Sequence, residues 1–273
     1  MKYCVNYSNR VNMTSFDEIS IIYESQDSAL IQFLQEHDTQ KINLIVGNIP
    51  SFYENKEWIK LNAIKEKYPQ YNFSICFGGH SAFYSIDDTL KECMMALQVP
   101  YYTGMYVNNY DQLHYLAQQG VSEVYLVEDM CFDLKRAKRV CAAYDIRIRA
   151  FPNVAQSYRG LTAEILPLAS FFIRPDDVSA YSEYIDVLEF YGPLDRQKIF
   201  YDIYTGGPWY GDLKDIIYSL PLSLDSMRIV PGFAHARINC KRECAKGGHC
   251  NICNNINNIE KKFKEYGMLL KTK

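Results

Sequence analysis

The sequence predicts an α/β fold, a (β/α)8 barrel of the TIM type that is followed by a C-terminal cysteine-rich metal-binding segment. Three observations lead to this prediction. Eight short runs rich in β-branched and aromatic residues occur along the chain, and segments of helical periodicity lie between them. Strands that alternate with helices indicate a parallel sheet, and eight such repeats are the number that closes a barrel. Four cysteines near the C-terminus indicate the metal-binding segment.

The eight predicted strands are the runs 19–23, 42–47, 72–77, 101–107, 123–127, 146–151, 170–174 and 186–190. The predicted helices are 27–37, 54–67, 87–97, 110–119, 132–143, 161–166 and 178–184. Asn109 stands three residues before Gln112, and Ser85 stands three residues before Asp88, as in N-terminal capping boxes. Gly120 directly follows the helix 110–119 and suits a left-handed C-terminal cap.

An open, doubly wound sheet is the alternative architecture. Its first strand would be expected to lead into a glycine-rich phosphate loop, and the sequence contains no G-x-G-x-x-G or Walker motif. We therefore expect the barrel over residues 1–192 and a helical extension with the metal site over residues 193–273.

The four clustered cysteines follow the spacing C-x3-C-x5-C-x2-C and are Cys240, Cys244, Cys250 and Cys253. Thiolates this close in sequence can converge on one ion, and the glycine pair 247–248 lets the chain fold back around it. Both a 4Fe–4S cluster and a zinc ion accept four thiolates, so both remain open. With four cysteines available, His249 is expected to stay outside the coordination.

Two disulfides are the alternative for these cysteines, and the expected compartment argues against them. Polar residues at positions 2, 6 and 8–10 interrupt any signal-peptide core, and no apolar run approaches the roughly 18 residues needed to span a bilayer. We therefore expect a cytoplasmic protein without a membrane partner, where a reducing environment favours metal binding. The other cysteines are expected to be small core residues: Cys4, Cys76, Cys93, Cys131 and Cys141.

The charge is unevenly distributed along the chain. From position 235 to the C-terminus there are nine Lys or Arg residues and three Glu residues, although the whole chain has a formal net charge of −3. A second basic cluster falls in the helix 132–143 and comprises Lys135, Arg136, Lys138 and Arg139. Such patches predict RNA or DNA as a partner, while a solvated helix face, or a tail that docks on the acidic body, gives the same pattern.

In a barrel the chemistry lies at the carboxyl ends of the strands, and several polar residues follow the predicted strands there. Glu128, Asp129 and Glu189 are the candidate acid–base residues, and Arg174 is a candidate anion clamp. The candidate substrate-binding residues are Asn48, His80, Asn108 and Asn153. Helix capping is the alternative role for Asp129 and Asn108.

Two segments carry a family resemblance. The stretch YVNNYDQLHYLAQQGVSEVYL at 106–126, followed by a helix and IRIRAFPN at 146–153, resembles the barrel of the collagenase-like peptidase family. That family includes iron–sulfur proteins that support hydroxylation of tRNA, 23S rRNA and ubiquinone. The resemblance implies a 4Fe–4S cluster on the four late cysteines and hydroxylation-type modification of a nucleobase or another planar metabolite. In this chain the four cysteines lie within fourteen residues, whereas the family spreads its ligands more widely.

The late cysteines also make the chain similar to tRNA-guanine transglycosylases and the related 7-deazaguanine DNA transglycosylases, which are barrels with a late zinc site. Their motif, C-x-C-x2-C with a distant His, is not matched here. This resemblance implies a structural zinc ion and base exchange in a nucleic acid, with Glu189 or Asp129 as nucleophile or base. A third hypothesis is a non-catalytic module in which the metal site only stabilises the C-terminal tail and the barrel binds a partner.

Overall fold

The computed structural model describes residues 1–6, 16–23, 28–36, 41–47, 49–77, 92, 95–97, 100–103, 106–107, 109–126, 128–155, 171–220, 226, 229 and 232–239. These residues contain nine strands: β1 Lys2–Asn6, β2 Glu18–Tyr23, β3 Lys41–Val46, β4 Asn72–Phe77, β5 Tyr101–Thr103, β6 Tyr106–Val107, β7 Glu123–Leu126, β8 Arg147–Ala150 and β9 Val187–Glu189. The nine strands form one sheet in the order β5-β4-β3-β2-β1-β9-β8-β7-β6, and every neighbouring pair is parallel.

The described residues include these α-helices with defined bounds: α1 Ser28–Glu36, α2 Ile49–Glu54, α3 Glu57–Lys67, α4 Tyr110–Gln118, α5 Leu134–Ala143, α6 Val178–Tyr181, α7 Leu194–Thr205 and α8 Phe233–Ile238. Short 3-10 helices occur at Glu128–Phe132, Pro175–Asp177 and Leu213–Asp215. The predicted cap of α4 is confirmed, because the Asn109 side chain accepts a hydrogen bond of 2.8 Å from the backbone N–H of Gln112. The helix ends before Gly120, whose φ of 78° is the left-handed conformation expected there.

The predicted closed eight-stranded barrel is wrong. The described strands form one curled, partly rolled sheet, and its end strands β5 and β6 do not pair with each other within the described residues. Of the predicted strand 170–174, the described residues 171–174 belong to none of the nine strands, although Phe171, Phe172 and Ile173 are buried. The strand β1, which the pattern did not predict, lies between β2 and β9. A short buried apolar run does not identify a strand, because buried chain of any conformation has the same composition.

One ion pair shows how strongly the sheet curls. Lys41 on β3 contacts Glu123 on β7, although five strand-to-strand steps separate these strands in the sheet order. In a flat sheet those strands would lie about 24 Å apart. The sheet therefore curls until its inner face meets itself, and side chains of distant strands come into contact.

The two faces of the sheet differ in chemistry because side chains alternate along each strand. The outer face carries apolar residues such as Ile19, Leu44 and Ile75, which share one buried core with Leu30 and Phe33 of α1. Outward residues of β7 and β8 belong to a second buried core. The opposite face, here called the inner face, carries Cys4, Glu18, Ser20, Lys41, Asn43, Ser74, Glu123, Tyr125, Arg147, Arg149 and Glu189. The sheet thus encloses its polar side.

The described residues after position 192 pack on the same sheet. Phe200 and Tyr204 of α7, together with Leu213 and Phe233, belong to the buried core that also contains residues of β2, β3 and β4. The domain boundary at residue 192 stays a prediction. Within the described ranges, no helix combines the length and apolar character needed to cross a membrane.

Candidate functional site on the inner face

Four charged residues meet at the amino ends of their strands. Glu18, Lys41, Glu123 and Arg147 are the first residues of β2, β3, β7 and β8, and they are here called the amino-end cluster. Arg147 donates from Nη1 to Glu123 Oε1 at 2.9 Å and from Nη2 to Glu18 Oε1 at 2.5 Å. Lys41 donates from Nζ to Glu123 and lies 3.7 Å from Glu18 Oε1. Each carboxylate therefore has two cationic neighbours in this cluster.

Arg149 connects the amino-end cluster to the other end of the inner face. Its guanidinium is fully buried and donates to Glu18 through Nη2 and to Glu123 through Nε. The remaining nitrogen, Nη1, donates at 3.0 Å to Oε2 of Glu189, the last residue of β9. One planar fork thus serves three carboxylates, a geometry that Lys cannot provide.

The charges within this network determine the ionisation of its carboxyl groups. Burial by itself would raise the pKa of Glu18, but the nearby Arg149, Lys41 and Arg147 outweigh it and lower that pKa from 4.5 to about 2. At Glu123, burial by itself would raise the pKa, but the same cations outweigh it, so the pKa of that carboxyl is also lowered. Burial lowers the pKa of Lys41, while Glu123 and Glu18 oppose that shift. The two carboxylates therefore stay ionised at neutral pH.

The lowered pKa of Glu18 predicts acid sensitivity. A carboxyl with a depressed pKa in the folded state contributes stability that is present above its unfolded pKa and is lost as the pH falls through its folded pKa. A fall from 4.5 to about 2 corresponds to about 3 kcal/mol of the free energy of unfolding. We expect Glu18→Gln to be less stable at pH 7 and to lose less stability than the wild type between pH 5 and pH 2.

Urea denaturation at a series of pH values measures this effect. Glu36→Gln is the control, since Glu36 is exposed and its carboxylate accepts a hydrogen bond from Gln32 of the same helix. Equal losses on acidification for the wild type and Glu18→Gln would contradict the assigned role of Glu18.

Burial disfavours the thiolate form of Cys4 and Cys141. Cys4 Sγ lies on the inner face, 3.2 Å from Ser20 Oγ, and accepts from Asn43 Nδ2 at 3.4 Å. Burial, reinforced by the charge of Glu189, raises the pKa of the Cys4 thiol to about 12, and burial raises that of Cys141 to about 12 as well. The prediction that Cys4, Cys76, Cys131 and Cys141 are core residues is confirmed, while Cys93 lies outside the described residues.

Glu189 marks the carboxyl end of the inner face. Its Oε2 accepts two hydrogen bonds, from Tyr125 Oη at 2.6 Å and from Arg149 Nη1 at 3.0 Å. Within the described part of the chain, its Oε1 accepts no hydrogen bond. The side chain is 7% exposed. One carboxylate oxygen is thus fixed by two donors while the other is left as an acceptor.

Three aromatic rings line the inner face at the carboxyl ends of β7, β8 and β9, and they are here called the aromatic wall: Tyr125, Phe151 and Tyr191. Tyr125 stacks on Phe151 with ring centroids 5.1 Å apart and planes inclined by 12°. Tyr191 meets Phe151 edge-on at 6.3 Å and is 55% exposed, so the wall opens to solvent. A flat apolar surface therefore lies next to a carboxylate at the carboxyl end of a parallel sheet, where ligands of such sheets bind.

Two supports hold Tyr191 in place. The Asn153 side chain donates to the Tyr191 carbonyl at 2.7 Å and accepts from the Tyr191 N–H at 2.9 Å. The ring of Tyr218 packs edge-on against Tyr191 at 5.5 Å. Gly192 permits this approach, since its φ is +124° and a Cβ there would lie 2.5 Å from Tyr218 Oη.

The predicted site residues do not all lie together in the structure. Glu189 lies in the site just described, and Asn153 positions its aromatic wall. Arg174 forms a two-pronged ion pair with Asp177, at 2.6 and 2.8 Å, and donates to the Ser226 carbonyl at 3.1 Å. No hydrogen bond or ion pair between described residues joins Arg174 to Glu189.

The other predicted residues fall where the structure gives no side-chain description. Glu128 and Asp129 begin the 3-10 helix Glu128–Phe132, but their side chains are outside the described set. Entirely outside the described residues are Asn48, His80, Asn108, Cys240, Cys244, Cys250 and Cys253. Among the residues that are described, no group of three or more His, Cys, Asp or Glu side chains is arranged to hold a metal ion.

Three of the four basic side chains in α5 contact residues outside that helix. Lys138 forms an ion pair of 2.7 Å with Asp186, Arg136 lies 3.9 Å above the ring of Tyr110, and Lys135 donates at 2.5 Å to Asn239. These three side chains are therefore engaged within the chain, and RNA or DNA as a partner stays a prediction.

Sequence reasoning missed Arg149 and the amino-end cluster, although a signal for them exists. Strands buried on both faces of a parallel sheet usually read as continuous apolar runs. Here β2, β3 and β8 instead begin EIS, KIN and RIR, with a charged residue first and polar residues at every second position. This alternation indicates a polar face within a parallel sheet.

Comparison with protein-family models and with curated proteins found no match for this chain. The functional assignment therefore rests on the geometry and electrostatics of the inner face.

Proposed function

We propose that the chain is an enzyme that modifies a planar metabolite or a nucleobase at the carboxyl end of the inner face, with Glu189 as its acid–base residue. The observation that carries the proposal is the asymmetry of the Glu189 carboxylate. Tyr125 and Arg149 hold Oε2, while Oε1 accepts no hydrogen bond from any described residue. A carboxylate held in this way is oriented to exchange a proton with a bound molecule.

The surrounding side chains have separate parts in this function. The aromatic wall stacks a planar substrate and fixes the direction from which it meets Glu189. Arg149 and Tyr125 keep the carboxylate from rotating when its proton is taken up or released. Glu18 and Glu123 of the amino-end cluster hold Arg149 in place, so the residues of that cluster need no contact with the substrate.

The four-cysteine segment is the proposed second component. Its four thiolates fit a 4Fe–4S cluster, or alternatively a zinc ion, by the chemistry of the donor set. An iron–sulfur cluster would supply one-electron transfer for a hydroxylation-type modification in which a co-reactant provides the oxygen atom, and a zinc ion would cross-link the basic tail. A brown protein purified without oxygen supports the cluster, and a colourless protein that contains one zinc supports the alternative.

Cysteine substitutions test this metal site. We expect Cys240→Ser and Cys253→Ser each to lose stoichiometric metal, because each thiolate supplies one of four bonds. Cys141→Ala is the control, since Cys141 is buried in α5 among apolar residues and should leave the metal content unchanged. Metal analysis of the purified variants gives the answer, and full occupancy in Cys240→Ser removes the four-cysteine site.

Metabolite profiling tests the proposal of an enzyme. The full-length protein, loaded with iron–sulfur cluster or with zinc, is incubated with a small-molecule cell extract and with an RNA hydrolysate, and mass spectrometry follows which compounds disappear. We expect at least one planar compound to be converted by the folded protein and not by the heat-unfolded protein. If neither metal form converts any compound, the chain is a binding module instead.

A further inference from the structure

We propose that the inner face selects a neutral planar ring that presents an N–H donor in its plane, in preference to an organic anion or cation. This inference rests on the proposed function, because it names the class of molecule that the Glu189 site receives. It follows from three properties of the site: the acceptor that Glu189 leaves open, the balance of buried charge, and the shape of the aromatic wall.

The open acceptor requires a donor. An ionised carboxylate only accepts hydrogen bonds, and Oε2 of Glu189 already receives two of them. Oε1 lies in the same largely buried side chain and receives none from the described residues. A ligand that brings an N–H group to Oε1 satisfies this atom, whereas a carbonyl oxygen there would face another acceptor.

The charges of the connected network are already balanced, although Lys41 and Arg147 are partly exposed. The connected network contains three carboxylates, of Glu18, Glu123 and Glu189, and three cations, of Lys41, Arg147 and Arg149. Within the described chain, this network has no net charge left for a charged ligand to neutralise. An anion would meet the carboxylate of Glu189, and a cation would leave a net positive charge in a poorly solvated place, so both pay an electrostatic penalty.

The shape of the site favours a ring. Tyr125 and Phe151 lie almost parallel, and Tyr191 stands nearly perpendicular to Phe151, so the wall offers a corner of two aromatic surfaces. The aromatic wall thus lies beside the acceptor, because Tyr125 both stacks on Phe151 and donates to Glu189, and a flat ring with one polar edge is complementary to both.

Four small probes separate these properties. Indole is neutral, planar and has an in-plane N–H, benzofuran has the same shape without the N–H, benzoate is an anion and benzamidinium is a cation. Ligand-observed NMR titrations at neutral pH measure their dissociation constants for the full-length protein. We expect indole to bind at least about tenfold more tightly than each of the other three, since a hydrogen bond to a charged group contributes about 1.5 kcal/mol or more.

Variants then locate the binding. In Glu189→Gln, the donors of Tyr125 and Arg149 attract the amide oxygen and turn its NH2 group toward the ligand, so indole should bind at least about tenfold more weakly. Phe151→Leu should weaken indole and benzofuran alike, because it removes the stacking surface. Glu57→Gln is the matched control, since the buried Glu57 carboxylate also accepts from a Tyr hydroxyl and a cation but belongs to α3 outside the inner face.

The outcomes distinguish the two proposals. Equal or tighter binding of benzofuran, benzoate or benzamidinium overturns the inferred ligand class, as does indole binding that Glu189→Gln leaves unchanged, or no binding of any probe. If profiling nevertheless finds a compound whose conversion requires Glu189, the proposed function stands and only the ligand class is wrong. If indole binds as expected and nothing is converted, the site is a binding site and the proposed function fails.

Discussion

Arg149→Met is expected to lower the free energy of unfolding by about 3 to 5 kcal/mol, the range for removal of one partner from a buried ion pair. Arg149 is fully buried and is the cation that Glu18, Glu123 and Glu189 share. Met has a similar length and no charge, so the variant retains most of the volume but leaves three carboxylates with too few cations. Urea denaturation followed by circular dichroism measures the loss.

Two further variants make this result interpretable. Arg139→Met on α5 is the control, since Arg139 is exposed and its Nε donates only to the Lys135 carbonyl at 3.4 Å, so we expect a change below about 0.5 kcal/mol. Arg149→Lys keeps the charge but loses the planar fork, and should lie between Arg149→Met and the wild type. If Arg149→Met proved as stable as Arg139→Met, the buried network would not hold the inner face together.

Much of the local structure could be predicted because it depends on residues close in sequence. The helix 110–119 was identified from Asn109 at its start and Gly120 at its end, and the structure has α4 between those residues. The run 72–77 coincides with β4, and 42–47 overlaps β3. Capping boxes and strand composition act over a few residues, so a sequence pattern captures them.

The closure of the sheet could not be predicted in this way. Of the predicted strand 101–107, the described parts are the short strands β5 and β6, which pair with β4 and with β7 at the two ends of the sheet order. The described residues 171–174 of the seventh predicted strand, 170–174, are buried and belong to none of the nine strands, and β1 lies in the sheet between β2 and β9 instead. A count of strand-like runs gives the number of repeats and says nothing about which strands pair.

The candidate site depends on contacts that are even further apart in sequence. Arg149 and Glu18 are separated by 131 positions, and Lys41 and Glu123 by 82. The alternating pattern of β2 and β8 shows that a polar face exists, but the partner of each charge is determined only when the sheet curls. Glu189 was identified because it stands at a strand end, which is a local property, whereas its partner Arg149 was not.

Glu189→Gln carries the largest expected effect on function. Gln keeps the shape of the side chain and one acceptor for Tyr125 and Arg149, but it cannot exchange a proton with the substrate. Loss of a general acid–base residue costs about a hundredfold or more in turnover. Stability should change by about 1 kcal/mol at most, because Arg149 retains Glu18 and Glu123 as partners.

The direct test of the site is a comparison of kcat/KM for Glu189→Gln and Glu57→Gln, measured on the compound that metabolite profiling identifies. Each variant removes one buried carboxylate that accepts hydrogen bonds from a Tyr hydroxyl and from a cation. Glu189 lies on the inner face, whereas Glu57 lies on α3. We expect kcat/KM to fall by about a hundredfold or more in Glu189→Gln and to change by about twofold or less in Glu57→Gln, with both proteins folded. Equal activity in the two variants would contradict the assignment of the chemistry to the inner face.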